Sequence, residues 1–394
     1  MLSTMSTTAL ELNTSYYTTV VGSSTLDGFS VSVIEPENTT STTYMLPPYI
    51  RITSMTVCIA VMVLGIIGNL MVPLVVLRGK DMRNSTNIFL VNLSAADLCV
   101  LVICAPTVLV EVNSGPQVWP LGEHMCKAVP FVELTVAHAS VLTILAISFE
   151  RYYAICEPLR AGYVCTKARA TFLCLLAWVA AALCTSPMIW VSQYSVVRVT
   201  MKKSNLNDDG NIESRNIPVC LMLANTSATT AFFLLLVLVF FIVPLLLLVV
   251  LYSVIVRHLI LDHSRASSTS ENYHARARKQ VILMLLTVVF SFFVCLAPFK
   301  TLTFYLVLAP PENVQAIDND TLLNIVYFCR IMFYLNSAIN PILYNLMSTK
   351  FRLGFLKICG LRKRRNSERS TIRSTLNATR ISRRVVDEQQ EDFL

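Results

Sequence analysis

Seven apolar stretches set the terms on which this chain of 394 residues folds. They run from about Ile52 to Leu77, Asn87 to Val112, Met125 to Arg151, Ala168 to Ser192, Ala228 to Val256, Val281 to Leu306 and Leu322 to Met347. At about 1.5 Å of rise per residue each is long enough to cross a hydrocarbon core about 30 Å thick. Inside that core an open strand leaves its backbone polar groups unsatisfied, whereas a helix pairs them all internally. The composition agrees, with 14% charged residues against about 25% in an average soluble domain. An all-α membrane protein is therefore expected, a bundle of seven transmembrane helices.

The third stretch places its polar residues most tellingly. Glu133, Ala137, Ser140, Ile144, Ile147 and Arg151 follow one another in steps of four and three, which keeps them on one helical face. Glu133 and Arg151 then lie roughly 27 Å apart along the axis, one near each membrane boundary. Charges facing lipid are costly, so this face looks into protein or water and the helix sits inside the bundle.

Twenty-four of the 32 Lys and Arg fall in the loops after stretches one, three and five and after stretch seven. The positive-inside rule makes that side the cytoplasm. A multi-pass plasma-membrane protein is expected, its N-terminus outside and its C-terminus cytoplasmic. The net charge of +8 then reports topology and the lipid bilayer, and gives no reason to invoke nucleic acid. Residues 1–49 contain no apolar core and no Lys or Arg, so the first span is expected to act as an uncleaved insertion signal. Of the twelve cysteines only Cys126 and Cys220 clearly face the oxidising side. A bridge between them is expected to hold the loop after stretch four over the mouth of the bundle.

Four regions follow. Residues 1–49 form a disordered extracellular tail, glycosylated at Asn13 and Asn38, which stand in Asn-x-Ser/Thr patterns. Residues 50–348 form the bundle. Residues 349–360, with Phe351, Phe355 and Leu356 on one side and basic residues around them, form a short amphipathic eighth helix on the inner leaflet; Cys359 at its end is a palmitoylation candidate. Residues 361–394 form a disordered cytoplasmic tail rich in Ser and Thr, open to phosphorylation. Between stretches four and five, alternating residues around Asn207-Asp208-Asp209-Gly210 predict a β-hairpin, limited by Pro218 to an edge or partial strand.

Within the bundle, Gly65 and Gly68 allow close backbone approach, while Asn69 and Asn92 suit hydrogen bonds between helices. Asp97 needs a cation or donors. With Ser140, Asn336 and Asn340 it makes a candidate sodium site; the alternative is a protonated Asp97 bonded to Asn69 and Asn340. Pro187, Pro244, Pro298 and Pro341 interrupt stretches four to seven and suggest hinges for a conformational change. Three more charges, Glu133, Lys300 and Arg330, lie in the outer half, with Phe299 beside Lys300 and Tyr334 one turn below Arg330.

The five histidines form no metal-spacing pair, and no phosphate-binding loop or catalytic signature occurs. An enzyme is not expected. A transporter would favour inverted repeats, and none is evident. A receptor, with an outer ligand cavity and a basic inner face for a partner, suits the pattern.

Glu150-Arg151-Tyr152, Asn340-Pro341-Ile342-Leu343-Tyr344, Asp97, Asn69, Trp178, Pro244, Pro298 and the Cys126/Cys220 pair resemble the fingerprint of rhodopsin-like G-protein-coupled receptors. The stretches Arg83 to Leu98, Met125 to Leu159 and Tyr334 to Ser348 resemble invertebrate ecdysis-triggering-hormone receptors, a group similar to thyrotropin-releasing-hormone, neuromedin and ghrelin receptors. The resemblance implies an extracellular amidated peptide ending Pro-Arg-X-amide, a Gq-class heterotrimeric G protein acting on calcium, and arrestin and receptor kinases at the Ser/Thr tail. It implies that Arg151 meets the G protein, with Tyr252 and Tyr344 moving toward it on activation. Glu133 would then receive the ligand's arginine, with Arg330 or Lys300 donating to its carbonyls; the alternative is that Glu133 merely bridges to Lys300 or Arg330. Leu296 stands where most such receptors have tryptophan, which leaves Phe292 and Phe299 to couple ligand to helix motion.

Overall fold

The computed structural model describes residues 46–79, 82–115, 118–202, 212–222, 224, 226–265 and 269–360. Asn13, Asn38 and the Ser/Thr-rich tail after residue 360 lie outside the described residues. Among the described residues seven helices are long and apolar enough to cross a membrane: α1 Pro48–Arg78, α2 Ser85–Ser114, α3 Gly122–Cys156, α4 Lys167–Val191, α5 Ser227–Leu261, α6 Lys279–Leu308 and α7 Asn319–Met347. Each expected stretch is present. A short helix, α8 (Thr349–Ile358), forms a separate unit in which Lys350, Arg352 and Lys357 are exposed and Phe351 is buried.

Hydropathy marks where apolar sequence ends, but a helix already nucleated adds polar residues at one hydrogen bond each. The helical backbone of α5 therefore continues to Arg265, and that of α6 begins as early as Thr269. Polar side chains set several starts. Asn84 Oδ1 accepts from the Asn87 amide at 2.9 Å and caps α2, and Asp318 does the same for α7 through Thr321.

The prolines act differently from helix to helix. α4 breaks into a turn at Ser186 and Pro187 before its last residues, Met188–Val191. In α5 a five-residue π turn, Leu238–Ile242, ends two residues before Pro244. α2 has another, Val100–Cys104, two residues before Pro106, an irregularity not among those expected. Widening the turn relieves the clash between the proline ring and the carbonyl four residues back. Pro298 and Pro341 lie within helix that is continuous on both sides.

α3 is the central helix: 72% of its spanning window is buried, against 28–56% for the others. It packs against α2, α4 and α5. Trp178 Nε1 of α4 donates to Asn92 Oδ1 at 3.0 Å, and the Asn92 amide donates to Thr143 of α3 at 2.9 Å, tying three helices together. α1 lies against α7 through its glycines. A Cβ at Gly65 would stand 2.5 Å from Leu101 Cδ1 and 3.2 Å from Ala338 Cβ, and one at Gly68 2.9 Å from Pro341. Asn69, between them in space, donates to the carbonyls of Gly65 and Ser337 rather than to Asp97.

Strands β1 (Ser192–Lys202) and β2 (Ile212–Met222) form a two-stranded antiparallel ribbon with Val196 opposite Pro218. Of the two outcomes that Pro218 allows, an edge or a partial strand, the structure shows the edge: both strands of a two-stranded ribbon are edges, and the missing N–H falls outside the ladder. The Pro218 carbonyl instead accepts from the Trp119 amide at 2.8 Å, and Val118 bridges to Val219. A disulfide joins Cys126, in the first turns of α3, to Cys220 of β2.

Candidate functional site

At the disulfide end, α7 turns Arg330 and Tyr334 inward, and the same face continues through Ser337 and Asn340 to Tyr344; all five are buried. Arg330 Nη1 donates to Glu111 Oε2 at 2.6 Å, with side chains 6% and 2% exposed. The Tyr334 hydroxyl donates to Glu133 of α3. The bridge from Glu133 to Lys300 or Arg330 is thus corrected: the carboxylate paired with Arg330 belongs to Glu111, on the last turns of α2. Sequence reasoning missed Glu111, whose signal was a carboxylate inside an apolar stretch. A small crevice of about 10 Å³ among α1, α2 and α7 reaches Arg330 and Tyr334 from the Cys58 side.

Lys300, on α6, is 4% exposed. Among the described residues no carboxylate lies within ion-pair distance of it. Its Nζ stands 5.8 Å from the Phe299 ring centroid. Phe299 packs on Phe333 at 5.5 Å, and Phe333 meets Tyr334 edge to face at 5.6 Å. A chain of rings therefore runs from α6 to the partner of Glu133.

In the middle of the bundle, Asn340 Nδ2 donates to Asp97 Oδ2 at 3.0 Å, and Ser337 also hydrogen-bonds this carboxylate. Ser140 and Asn336 are buried, and Asn336 Oδ1 has no hydrogen-bond partner. An orphaned amide oxygen and a buried carboxylate suit a hard monovalent cation. No cluster of three or more His, Cys, Asp or Glu able to hold a metal occurs among the described residues.

At the other end of α3 the Glu150 carboxylate accepts from Ser85 and from Thr86 at 3.2 Å, both at the start of α2. Arg151 Nη2 donates to Thr86 Oγ1 at 2.6 Å and lies 3.5 Å from Glu150. Thr86 therefore joins the two charges. The Tyr252 hydroxyl is 3.2 Å from Ser148, one turn before Arg151. Tyr152 reaches Glu157 at 3.4 Å, ahead of a short helix, Pro158–Val164. Tyr344 is fully buried.

A buried charged cluster at one end, a polar middle and a restrained arginine at the other end form a path of polar groups along α3 and α7. Residues 68–344 match the family described as 7 transmembrane receptor (rhodopsin family). The chain is 34% identical over 319 residues to growth hormone secretagogue receptor type 1 of Sus scrofa, covering 80% of this chain and 83% of that protein. The Mus musculus counterpart is 35% identical over 320 residues with the same coverage. The thyrotropin-releasing hormone receptor of Gallus gallus is 32% identical over 327 residues, covering 80% of each chain.

Proposed function

Because the chain belongs to the rhodopsin family of seven-transmembrane receptors, we propose that it is a receptor for an amidated peptide ending Pro-Arg-X-amide, of the ecdysis-triggering-hormone type, and signals through a Gq-class G protein to calcium. Relatives named for a secretagogue and for a releasing hormone support a peptide ligand. The concentration of Lys and Arg in alternate loops supports an extracellular N-terminus and a plasma-membrane location. The disulfide end is then the ligand mouth and the Arg151 end faces the G protein.

The observation that carries the reading is the buried cluster at that mouth. Glu111 is matched by Arg330, while Glu133 is held by a neutral Tyr334 hydroxyl and keeps its charge for a ligand cation. A guanidinium bound there gains a charge-assisted contact in a site shielded from water. Ligand seated on Glu133 and Tyr334 presses on Phe333 and Phe299, which gives α6 a route to move without a tryptophan at position 296. At the far end the movement frees Arg151 from Thr86 and lets Tyr252 and Tyr344 approach it. Asp97, Ser140, Asn336 and Asn340 hold a sodium ion in the resting bundle. α8 lies on the inner leaflet with Cys359, exposed at its end, as the acylation point. Arrestin and receptor kinases act on the tail, and Asn13 and Asn38 carry the glycans.

The test is calcium recording in cells expressing the full chain, challenged with peptides ending Pro-Arg-Leu-amide. A concentration-dependent rise, lost in Arg151→Ala, is expected. Surface-expressed protein that answers no amidated peptide in a library overturns the reading.

A further inference from the structure

Arg151 is held by Thr86 of α2 and lies beside Glu150 of its own helix, so its restraint leaves α6 untouched. Nor does Lys279–Leu308 contain an Asp or Glu that could pair with it. The inner end of α6 is held elsewhere. Exposed Gln280 donates from Nε2 to the Met347 carbonyl at 2.8 Å, across 67 residues of chain. Among the described residues this is the one side-chain hydrogen bond from Lys279–Leu308 to another helix; Thr287 and Thr303 return theirs to α6 itself. Met347 is the last residue of α7. The Ser348 amide turns back to the Tyr344 carbonyl, and Ser348 itself is extended. The last carbonyls of a helix have no partner within it and carry the negative end of its dipole, so they draw donors.

That bond couples two movements. From Gln280 to Pro298, where α6 lacks a backbone donor, the chain runs 18 residues, roughly 27 Å of helix. A swing of about 10° at the proline carries the Gln280 end about 5 Å, beyond the reach of any hydrogen bond. On the other side, Met347 lies three residues after Tyr344, so the same bond ties down the turn that carries this buried ring. We propose that the hydrogen bond from Gln280 to the Met347 carbonyl is a latch, which keeps the inner end of α6 against α7 in the resting receptor and opens before α6 swings and Tyr344 advances. This rests on the reading of the chain as a receptor whose α6 moves on activation. The latch is a donor meeting a carbonyl, so its strength follows the chemistry at position 280. A carboxylate there has no hydrogen to give and repels the helix end; an aliphatic side chain merely lacks the donor; a guanidinium still donates.

The test uses the full-length chain, unchanged at position 280 or carrying Gln280→Glu, Gln280→Leu or Gln280→Arg; Gln280 is exposed, so none of these disturbs the core. Nitroxides are attached at Tyr163→Cys, in the short helix after α3, and at Leu283→Cys on α6, both exposed, in a Cys184→Ser, Cys359→Ser background. The distance between them is measured without ligand. Gln280→Leu is expected to raise the ratio of a shifted to the resting distance population by about two- to tenfold, the scale of one net hydrogen bond. Gln280→Glu raises it further, and Gln280→Arg leaves it near the wild-type value. Ligand-independent inositol phosphate production in cells, at matched surface expression, follows the same order. Distances in Gln280→Glu equal to those of the wild type overturn the latch. So does a population in Gln280→Arg as shifted as that in Gln280→Glu, since any change at the position would then act alike. Distances in the expected order with inositol phosphate unchanged uphold the latch and count against the Gq-class reading alone, which keeps the two failures apart.

Discussion

Glu111→Gln is the most informative single change for the stability of the bundle. The Glu111 and Arg330 side chains are 2% and 6% exposed and meet at 2.6 Å, so both charges have left water. Two unit charges about 4 Å apart attract by about 4 kcal/mol at an effective dielectric near 20. Removing one partner of a buried pair typically costs about 3 to 5 kcal/mol, because the other charge stays behind uncompensated. Here the charge of Glu133 also acts on Arg330, which offsets part of the loss and places the expected cost near about 3 kcal/mol. Arg330 drawn toward Glu133 would also compete with a ligand cation, so agonist potency falls along with stability. The double replacement Glu111→Leu with Arg330→Met removes both charges and is expected to recover most of the stability, as apolar substitutes for buried pairs do. The assay is SDS-driven unfolding of purified receptor in mixed micelles, run on wild type, both single variants and the double. Single variants within about 1 kcal/mol of wild type, or a double variant no better than either single, would refute the reasoning.

Thr86→Val removes the hydroxyl that accepts from Arg151 and donates to Glu150. Two hydrogen bonds to charged groups are worth on the order of 2 to 4 kcal/mol in the resting state, so ligand-independent inositol phosphate production should rise severalfold, and basal signalling equal to wild type at matched expression would count against the restraint. Replacing sodium by a bulky organic cation at constant ionic strength should raise agonist affinity on the wild type and leave Asp97→Asn unaffected; equal behaviour of the two receptors would return Asp97 to a purely hydrogen-bonded role.

The spans were legible because hydropathy alone decides which segments enter lipid, and the disulfide because compartment left only Cys126 and Cys220 on the oxidising side. The Asn92 link was legible in kind, since a buried amide must find a partner, although Trp178 and Thr143 as its partners come from three-dimensional packing. Glu111 was not legible. It follows Asp97 on the same helix, but the π turn Val100–Cys104 lies between them and rotates everything beyond it by about one residue's worth, roughly 100°. Which side Glu111 faces therefore cannot be projected from the side of Asp97. His138 escaped for another reason. A lone histidine on an apolar helix carries no pattern of its own, and which of its ring nitrogens carries hydrogen follows only from the proton that Thr185 gives to Ala181. The hold of Ser85 and Thr86 on Glu150 likewise needs the start of α2 to be brought beside the end of α3, a contact 64 residues apart in the chain.

The claim on which the account turns is that Glu133, held by Tyr334, receives the cation of the ligand. A double-mutant cycle measures it directly: an amidated peptide ending Pro-Arg-Leu-amide and its citrulline analogue, each titrated on wild type and on Glu133→Gln. Breaking one partner of a desolvated pair typically costs about 2 to 5 kcal/mol, so citrulline should weaken the peptide by well over tenfold on the wild type and scarcely at all on Glu133→Gln. Equal losses on both receptors would show that the ligand's charge and Glu133 do not meet, and would contradict the account.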